Sequence, residues 1–558
     1  SKADTPVSQS SSNVLIRANE FDFDGYTPDI ATTGIFTLEP VSTSTKFDSS
    51  TISTSWFTWN QNGQTLGGLT IGKPTNTSNV SIEVPLNIAG QLTIYGTDIS
   101  VNENLNTTGG STSGDILLKG KGDISLAAGK SVTTSGGDVI LWANSDGEAS
   151  NGSVLLRNGS SIITSGGNVW IGGGSGSANW NGLTVGNAYA VAGTSFTPSD
   201  GGANGNGGVY FEKASIQTSG GNILVKGDAG NNLWGIVTYG TNTINSGNGS
   251  IEWDGKSISS NPDPGILFGF HDSVIAGNNT FTSTSSGVAV SLKGVSSNGN
   301  GIGVDGVVTI ESAGIGSIEL SGTGANSHYG IEVGNYFKGS KLNIYAASGE
   351  IKVDGGSKGI SIIQPANLGS ASGDSKLSIG QGGTISSSSS NVKLIGDVLS
   401  VATTNGLDVS TSGTFVLESF SDSFDSAITY PISNLSVASS VSGLTIGKST
   451  NSENININAS VSVAGPISIY GDNIWLNSGA DLTSTLAESK VLLRGKGHIV
   501  IDSNSDLTTN NGDLILWSNY ENIISGTANN EVDLRGNNTI STSGGDIFIA
   551  GGEADSNG

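Results

Sequence analysis

Ser135-Gly136-Gly137-Asp138-Val139-Ile140-Leu141-Trp142 decides the reading of this chain, because the phrase keeps returning. Ser165-Gly166-Gly167-Asn168 precedes Val169-Trp170-Ile171, Ser219-Gly220-Gly221-Asn222 precedes Ile223-Leu224-Val225, and Ser543-Gly544-Gly545-Asp546 precedes Ile547-Phe548-Ile549. Each is a short run of β-branched, leucine and aromatic residues behind a corner of Gly and Asx. Gly accepts positive φ and Asx bonds nearby backbone, so the phrase is turn followed by strand. No window shows a sustained 3.6-residue apolar period, and almost no helix is expected.

A longer repeat encloses the phrases. Gly68-Leu69-Thr70-Ile71-Gly72-Lys73 returns as Gly443-Leu444-Thr445-Ile446-Gly447-Lys448, and Leu117-Leu118-Lys119-Gly120 as Leu492-Leu493-Arg494-Gly495. Both offsets are 375 (443 − 68 and 492 − 117). Farther out the offset becomes 378, as from Ser10-Ser11-Ser12-Asn13 to Ser388-Ser389-Ser390-Asn391. The organisation read from this is one long unit over 1–387, of which 180–387 has no counterpart in the chain, and an incomplete second copy over 388–558 that matches about 10–175. The first residues already resemble the interior of a unit and the last stop inside one. A processed form, or a slice of a longer array, is therefore expected.

Similar phrases at rung-like intervals, the recurrent corner and the abundance of small residues favour stacked parallel strands over hairpins. The expected fold is all-β: a parallel β-helix, a long solenoid rod, with an array of β-sandwiches as the alternative. With ~4.8 Å per rung and roughly 22 residues per turn, the chain would make about 25 rungs and a rod about 120 Å long.

Composition narrows the function. The 558 residues carry 85 Gly, no Cys, no Met and a net charge of −24, from 23 basic and 47 acidic residues. Without Cys there are no disulfides or thiolate metal sites. The absence of a basic patch argues against nucleic acid, and no run is long and apolar enough for a membrane span.

Chemistry-bearing motifs are thin. His271, His328 and His498 lie far apart, and His498 is replaced by Asp123 at the matching place of the first unit. Gly172-Gly173-Gly174-Ser175-Gly176-Ser177 opens no helix, so it satisfies neither the phosphate-cradle nor the nucleophile context. Gly301-Ile302-Gly303-Val304-Asp305 stands alone where a calcium β-roll needs tandem copies, which leaves only weak calcium binding by an acidic surface. Lys121-Gly122-Asp123 and Lys226-Gly227-Asp228 read as turns after strands. Asn-x-Ser/Thr at Asn76, Asn106, Asn151, Asn158 and Asn248 matches chance in so polar a chain. No catalytic, cofactor-binding or metal-ligating residue is assigned, no cofactor is expected, and the chain is not read as an enzyme.

One pattern exceeds a generic solenoid. Val139-Ile140-Leu141-Trp142, Val169-Trp170-Ile171, Leu514-Ile515-Leu516-Trp517 and Ile547-Phe548-Ile549 are apolar at consecutive positions. Strand side chains alternate faces, so some of these must point outward and be covered. A loop of the same chain, a contact between rods and a stacked glycan are the three covers considered. The residues named for self-assembly or glycan contact are Trp142, Trp170, Trp517 and Phe548, with Trp180 and Trp234 from the aromatic-rich 180–285 stretch.

The phrases Ser-Gly-Gly-Asp-Val-Ile-Leu-Trp-Ala-Asn (135–144), Thr-Ser-Gly-Gly-Asn-Val-Trp-Ile-Gly-Gly-Gly (164–174) and Leu-Leu-Lys-Gly-Lys-Gly-Asp-Ile (117–124) resemble the shafts of bacterial filamentous-haemagglutinin-like exoproteins. That resemblance implies a right-handed parallel β-helix, exported by two-partner secretion to the surface of a Gram-negative bacterium. Its expected work is adhesion, aggregation or biofilm building, through self-association into filaments or bundles and contact with host, cell-surface or matrix glycans. The alternative function is a carbohydrate-binding or carbohydrate-cleaving β-helix, with its groove in 180–285.

Overall fold

A computed structural model describes residues 10–21, 27–41, 44–59, 65–109, 114–148, 152–193, 207–230, 234–269, 277–334, 339–363, 374–520 and 531–552. The chain is all-β, and its strands stack in parallel as a β-helix. Among the described residues, helix is confined to the 3₁₀ turns Thr54–Trp56 and Gly356–Lys358. None is long and apolar enough to cross a membrane. By internal contacts the chain divides into Ser1–Gly299 and Asn300–Gly558.

In the first unit each turn from Gly68 to Ser283 contributes a strand to each of three sheets. The first sheet runs in register from Val14–Arg17 and Ile35–Glu39 through Leu92–Gly96, Ile116–Gly120, Val139–Trp142 and Val169–Trp180 to Ile223–Asp228, Ile251–Ser257 and Val288–Ser296. The second sheet includes Ile99–Val101, Ile124–Leu126, Val154–Leu156, Gly207–Glu212, Trp234–Tyr239 and Ile266–Phe268. The third includes Leu105–Thr107, Ser131–Thr134, Ser161–Ile163, Ser215–Gln217, Asn242–Gly247 and Asn278–Ser283. Because pairing is in register, inward side chains form columns. Ile116, Val139, Val169, Ile223 and Ile251 make one such column, all fully buried.

The recurrent corner has a physical cause. Gly137, Gly167, Gly221 and Gly249 lie above one another, and a Cβ on any of them would drive into the glycine carbonyl of the preceding turn. The Asx that follows ties the turns together. Asp138 N donates to Asp115 Oδ1 at 2.9 Å, Asn168 N to Asp138 Oδ1 at 2.6 Å, Asn222 N to Asn168 Oδ1 at 2.9 Å and Ser250 N to Asn222 Oδ1 at 2.8 Å. Buried Thr134 and Thr164 donate their hydroxyls to the Gly137 and Gly167 carbonyls. The motif is thus a self-satisfying buried polar corner, which a β-helix needs at every turn.

Aromatic residues of 180–285 fill the same coil. Trp253 of the first sheet stacks on Phe211 (4.7 Å, 17°) and Phe268 (5.9 Å, 20°) of the second and meets Phe281 of the third edge-on at 4.8 Å. All four are fully buried.

The second unit is built alike. Its first sheet runs from Ser317–Thr323 and Glu350–Asp354 through Asn391–Ile395, Thr414–Glu418 and Gly443–Ile446 to Leu514–Ser518 and Ile547–Gly551. The ladder passes the repeat boundary at 387/388 unbroken, since Ile351 pairs with Val392 and Val353 with Leu394. The two sequence copies share internal bonds. Asn76 Nδ2 donates to Tyr95 O at 2.7 Å, and Asn451 Nδ2 donates to Tyr470 O at 2.9 Å. Gly72 (φ +80°) and Gly447 (φ +76°) make the same left-handed turn.

One acid offsets this economy. Asp263 follows the strand Ile251–Ser257, and burial pushes its carboxyl up to about 6 against a weak bond from Ser259 Oγ at 3.4 Å. The unfolded carboxyl titrates near 3.9. Well below about pH 3.9 both states are protonated and the full stability is present. As pH rises through about 6 the unfolded chain ionises more readily, and stability is lost. Asp263→Asn is therefore expected to gain on the order of 1 kcal/mol at pH 7.5, after allowance for partial exposure, and nothing at pH 3.5. Urea unfolding at the two pH values checks this, and an equal difference at both contradicts it.

Candidate functional site

The outward apolar residues of the first sheet gather in one place. In Val139–Trp142 the register turns Val139 and Leu141 inward with Ile116 and Leu118, and Ile140 and Trp142 outward with Leu117 and Lys119. The next turns add Trp170 beside Ile140 and Leu224 beside Trp170.

What covers them is a hairpin of the same chain. After Ile171 the strand Val169–Trp180 continues out of the coil through the Gly/Ser run, reverses at Asn181-Gly182 and returns as Leu183–Ala188, antiparallel to itself. Asn181 (φ +49°) and Gly182 (φ +84°) both take the positive φ of a type I′ turn. Val185 joins Ile140, Trp142, Trp170 and Leu224 in a buried cluster, flanked by Leu117, Trp180 and Leu183. Trp142 and Trp170 meet at 6.2 Å, and Trp142 Nε1 donates to Gly174 O at 2.7 Å. Lys119 Nζ lies 3.4 Å from the centre of the Trp142 ring, and burial lowers its pKa.

Beyond the hairpin, Ala190–Val191 pairs with Gly227–Asp228. Tyr189 is held there by charge. Its hydroxyl donates to Asp254 Oδ2 at 2.8 Å and its ring lies 4.5 Å from Lys226 Nζ, while Lys256 pairs with Asp228 at 3.0 Å. Burial and then the Asp254 carboxylate hold the Tyr189 hydroxyl above its ordinary value. Acids and bases in this cluster satisfy one another, so the arrangement clamps the end of the hairpin to the coil.

The residues named from sequence divide accordingly. Trp142 and Trp170 are buried under the hairpin, so neither ring is presented for a glycan or a second rod. Trp234 is buried in a second cluster with Leu155, Tyr210, Val237, Tyr239 and Leu267, of which Leu155, Tyr210, Val237 and Leu267 stand in register along the second sheet. Trp180 is half-buried at the edge of the first cluster. Trp517 repeats Trp142: its Nε1 donates to Gly552 O at 2.8 Å, and Arg494, in the place of Lys119, lies 4.5 Å over its ring. Phe548 is exposed. Of the aromatic residues in 180–285, the stretch named for the alternative carbohydrate groove, Tyr210, Phe211, Trp253 and Phe268 are inside the protein.

Other motifs take structural places. His498 N donates to Asn473 Oδ1 at 2.8 Å, as Asp123 N does to Asp98 Oδ1 at 3.0 Å, so both copies use the position as a corner. His328 bonds through its backbone to Ala325 O. His271 and Asn151 lie outside the described residues. Lys226-Gly227-Asp228 is within the strand Ile223–Asp228, not in a turn after it. Asn76 is fully buried and bonded, which takes its sequon out of reach of a glycan. Among the described residues, no group of three or more His, Asp or Glu is placed to hold a metal ion.

Sequence reasoning missed the hairpin, although Asn181-Gly182 between Trp180 and Leu183 is the strongest short-range hairpin signal. It also missed the clamp, whose trace is Lys226-x-Asp228 in register with Asp254-x-Lys256. No family model, curated protein or solved structure matches this chain.

Proposed function

We propose that this chain is the shaft of an extracellular surface fibre, a structural protein of the adhesin type that supports adhesion, aggregation or biofilm through association of its rods. The observation that carries this reading is the use of the distinctive residues. Glycine column, Asx ladder, aromatic stack and Tyr189 clamp all serve the integrity of the coil, and both sequence copies repeat the same internal bonds. A solenoid made this way adds turns at nearly constant cost per repeat, which suits it to spanning distance. The net charge of −24 adds solubility. The glycan reading draws less support, because the rings that would stack on sugar are largely internal.

Electron microscopy of native, unfragmented material tests the proposal. Rods or continuous filaments at the cell surface are the expected result. Compact particles free in the medium, together with depolymerisation of an added polysaccharide, would overturn it.

A further inference from the structure

In the second unit, among the described residues, the ladders of two sheets are interrupted, between Leu399–Val401 and Ile428–Tyr430 and, farther along, between Leu435–Val437 and Val461–Val463. The strand Leu435–Val437 pairs backward with Leu407–Ser410, and Val461–Val463 pairs forward with Leu482–Ala487. Among the described residues no ladder joins Leu435–Val437 to Val461–Val463. The interruption is framed by two ordinary cross-turn bonds, Asn458 N to Tyr430 O at 2.8 Å and Ala464 N to Val441 O at 3.1 Å. Between them lies a cleft of about 370 Å³.

Two strand edges form its walls. Leu407 N donates to Asn434 O and Ala438 N to Val409 O, so residues 434 and 438 turn their main-chain groups to the preceding turn. Bonding alternates along a strand, so the Val437 N–H and the Leu435 and Val437 carbonyls face the cleft. Val461 N donates to Asp481 O on the other side, which leaves the Ser462 amide and carbonyl facing the cleft. Leu435 and Val437 are only half-buried, whereas Leu407, Val409 and Leu482 in the neighbouring turns of this sheet are fully buried. In the first copy, Leu86–Ile88 corresponds to Val461–Val463 (461 − 86 = 375). The stretch before it carries Phe57 and Trp59, buried against Phe36 at 5.7 and 5.4 Å. The second copy has no aromatic residue between Tyr430 and Val441.

We propose that the cleft between Leu435–Val437 and Val461–Val463 is a strand-acceptor site for an extended peptide segment of alternating apolar and polar residues. Two facing edges offer donors and acceptors on both sides, which a strand satisfies and a compact ligand does not. The volume lies within the range of ligand sites and suits a segment of a few residues. Apolar side chains at alternate positions would continue the columns of Leu407 and Val409 beneath and Leu482 above. This site goes beyond the shaft function and stands independently of it.

The test uses the whole chain and a fluorescein-labelled hexapeptide with the sequence of residues 85–90, Pro-Leu-Asn-Ile-Ala-Gly. Saturable binding is expected, weakened at least ten-fold when alternate peptide amides are N-methylated. Val437→Trp, in the wall, and Ser439→Trp, on the exposed rim, are each expected to weaken it at least ten-fold with an unchanged circular dichroism spectrum. If Val437→Trp perturbs the fold, Ser439→Trp decides. The proposal is overturned by absence of saturable binding, by equal affinity for the N-methylated peptide (an apolar cleft blind to backbone), or by unaltered binding to folded Ser439→Trp.

Discussion

Gly221→Val is expected to break the coil at its turn, with a loss of about 3 kcal/mol or more. Gly221 lies between Gly167 and Gly249 in the corner column, and its added Cβ would meet the Gly167 carbonyl carbon and oxygen and the Asn168 nitrogen. These are backbone atoms, so no side-chain rotation relieves the clash. The turn would have to move outward, lengthening the bonds from Asn222 N to Asn168 Oδ1 and from Ser250 N to Asn222 Oδ1. The damage should be local, because each turn of a solenoid contacts mainly its neighbours. Hydrogen exchange resolved to peptides is the measurement. Protection should fall across the turns near 165–171, 219–225 and 247–253 and remain at 92–120. Uniform loss over the chain, or none, would contradict the column.

Trp253→Ala should cost about 3–5 kcal/mol, the range for truncating a buried aromatic residue. Its ring is the centre on which Phe211, Phe268 and Phe281 converge from the other two sheets. Trp253→Phe provides the internal control. The Trp253 indole N–H is buried with no acceptor among the described residues, a cost that phenylalanine removes while leaving a smaller void. That variant is expected to lose less than about 1.5 kcal/mol. Denaturant unfolding followed by near-ultraviolet circular dichroism measures both. Equal losses would mean that the indole edge, not the stacked ring, carries the stability.

The parallel coil was legible in the sequence because its cause is local and repeated. A glycine must stand where backbones touch, an Asx must bond the next turn, and apolar residues must alternate behind them. Those demands recur at many corners, so they appear as a phrase. The duplication at offset 375 was equally visible, and its copies do carry matched bonds at Asn76 and Asn451. That some of the consecutive apolar residues, such as Ile140 and Trp142, must face outward also followed from strand alternation alone.

The cover over those residues is a tertiary matter. Trp142 and Trp170 look alike in sequence as exposed rings, whatever lies above them. Only the return of Leu183–Ala188 along Val169–Trp180 buries them, and that depends on a turn far from Trp142 in sequence. Trp253 and Phe211 are similar: sequence showed an aromatic-rich region, but register and the three-sheet cross-section put these rings inside the coil. The open ladder at Leu435–Val437 is invisible in sequence, since its Leu-Ser-Val is as good a strand as Val461-Ser462-Val463. Local chemistry set each strand and corner of this protein. Which face meets chain, core or open edge was decided by pairing over long separations, which no single window of sequence contains.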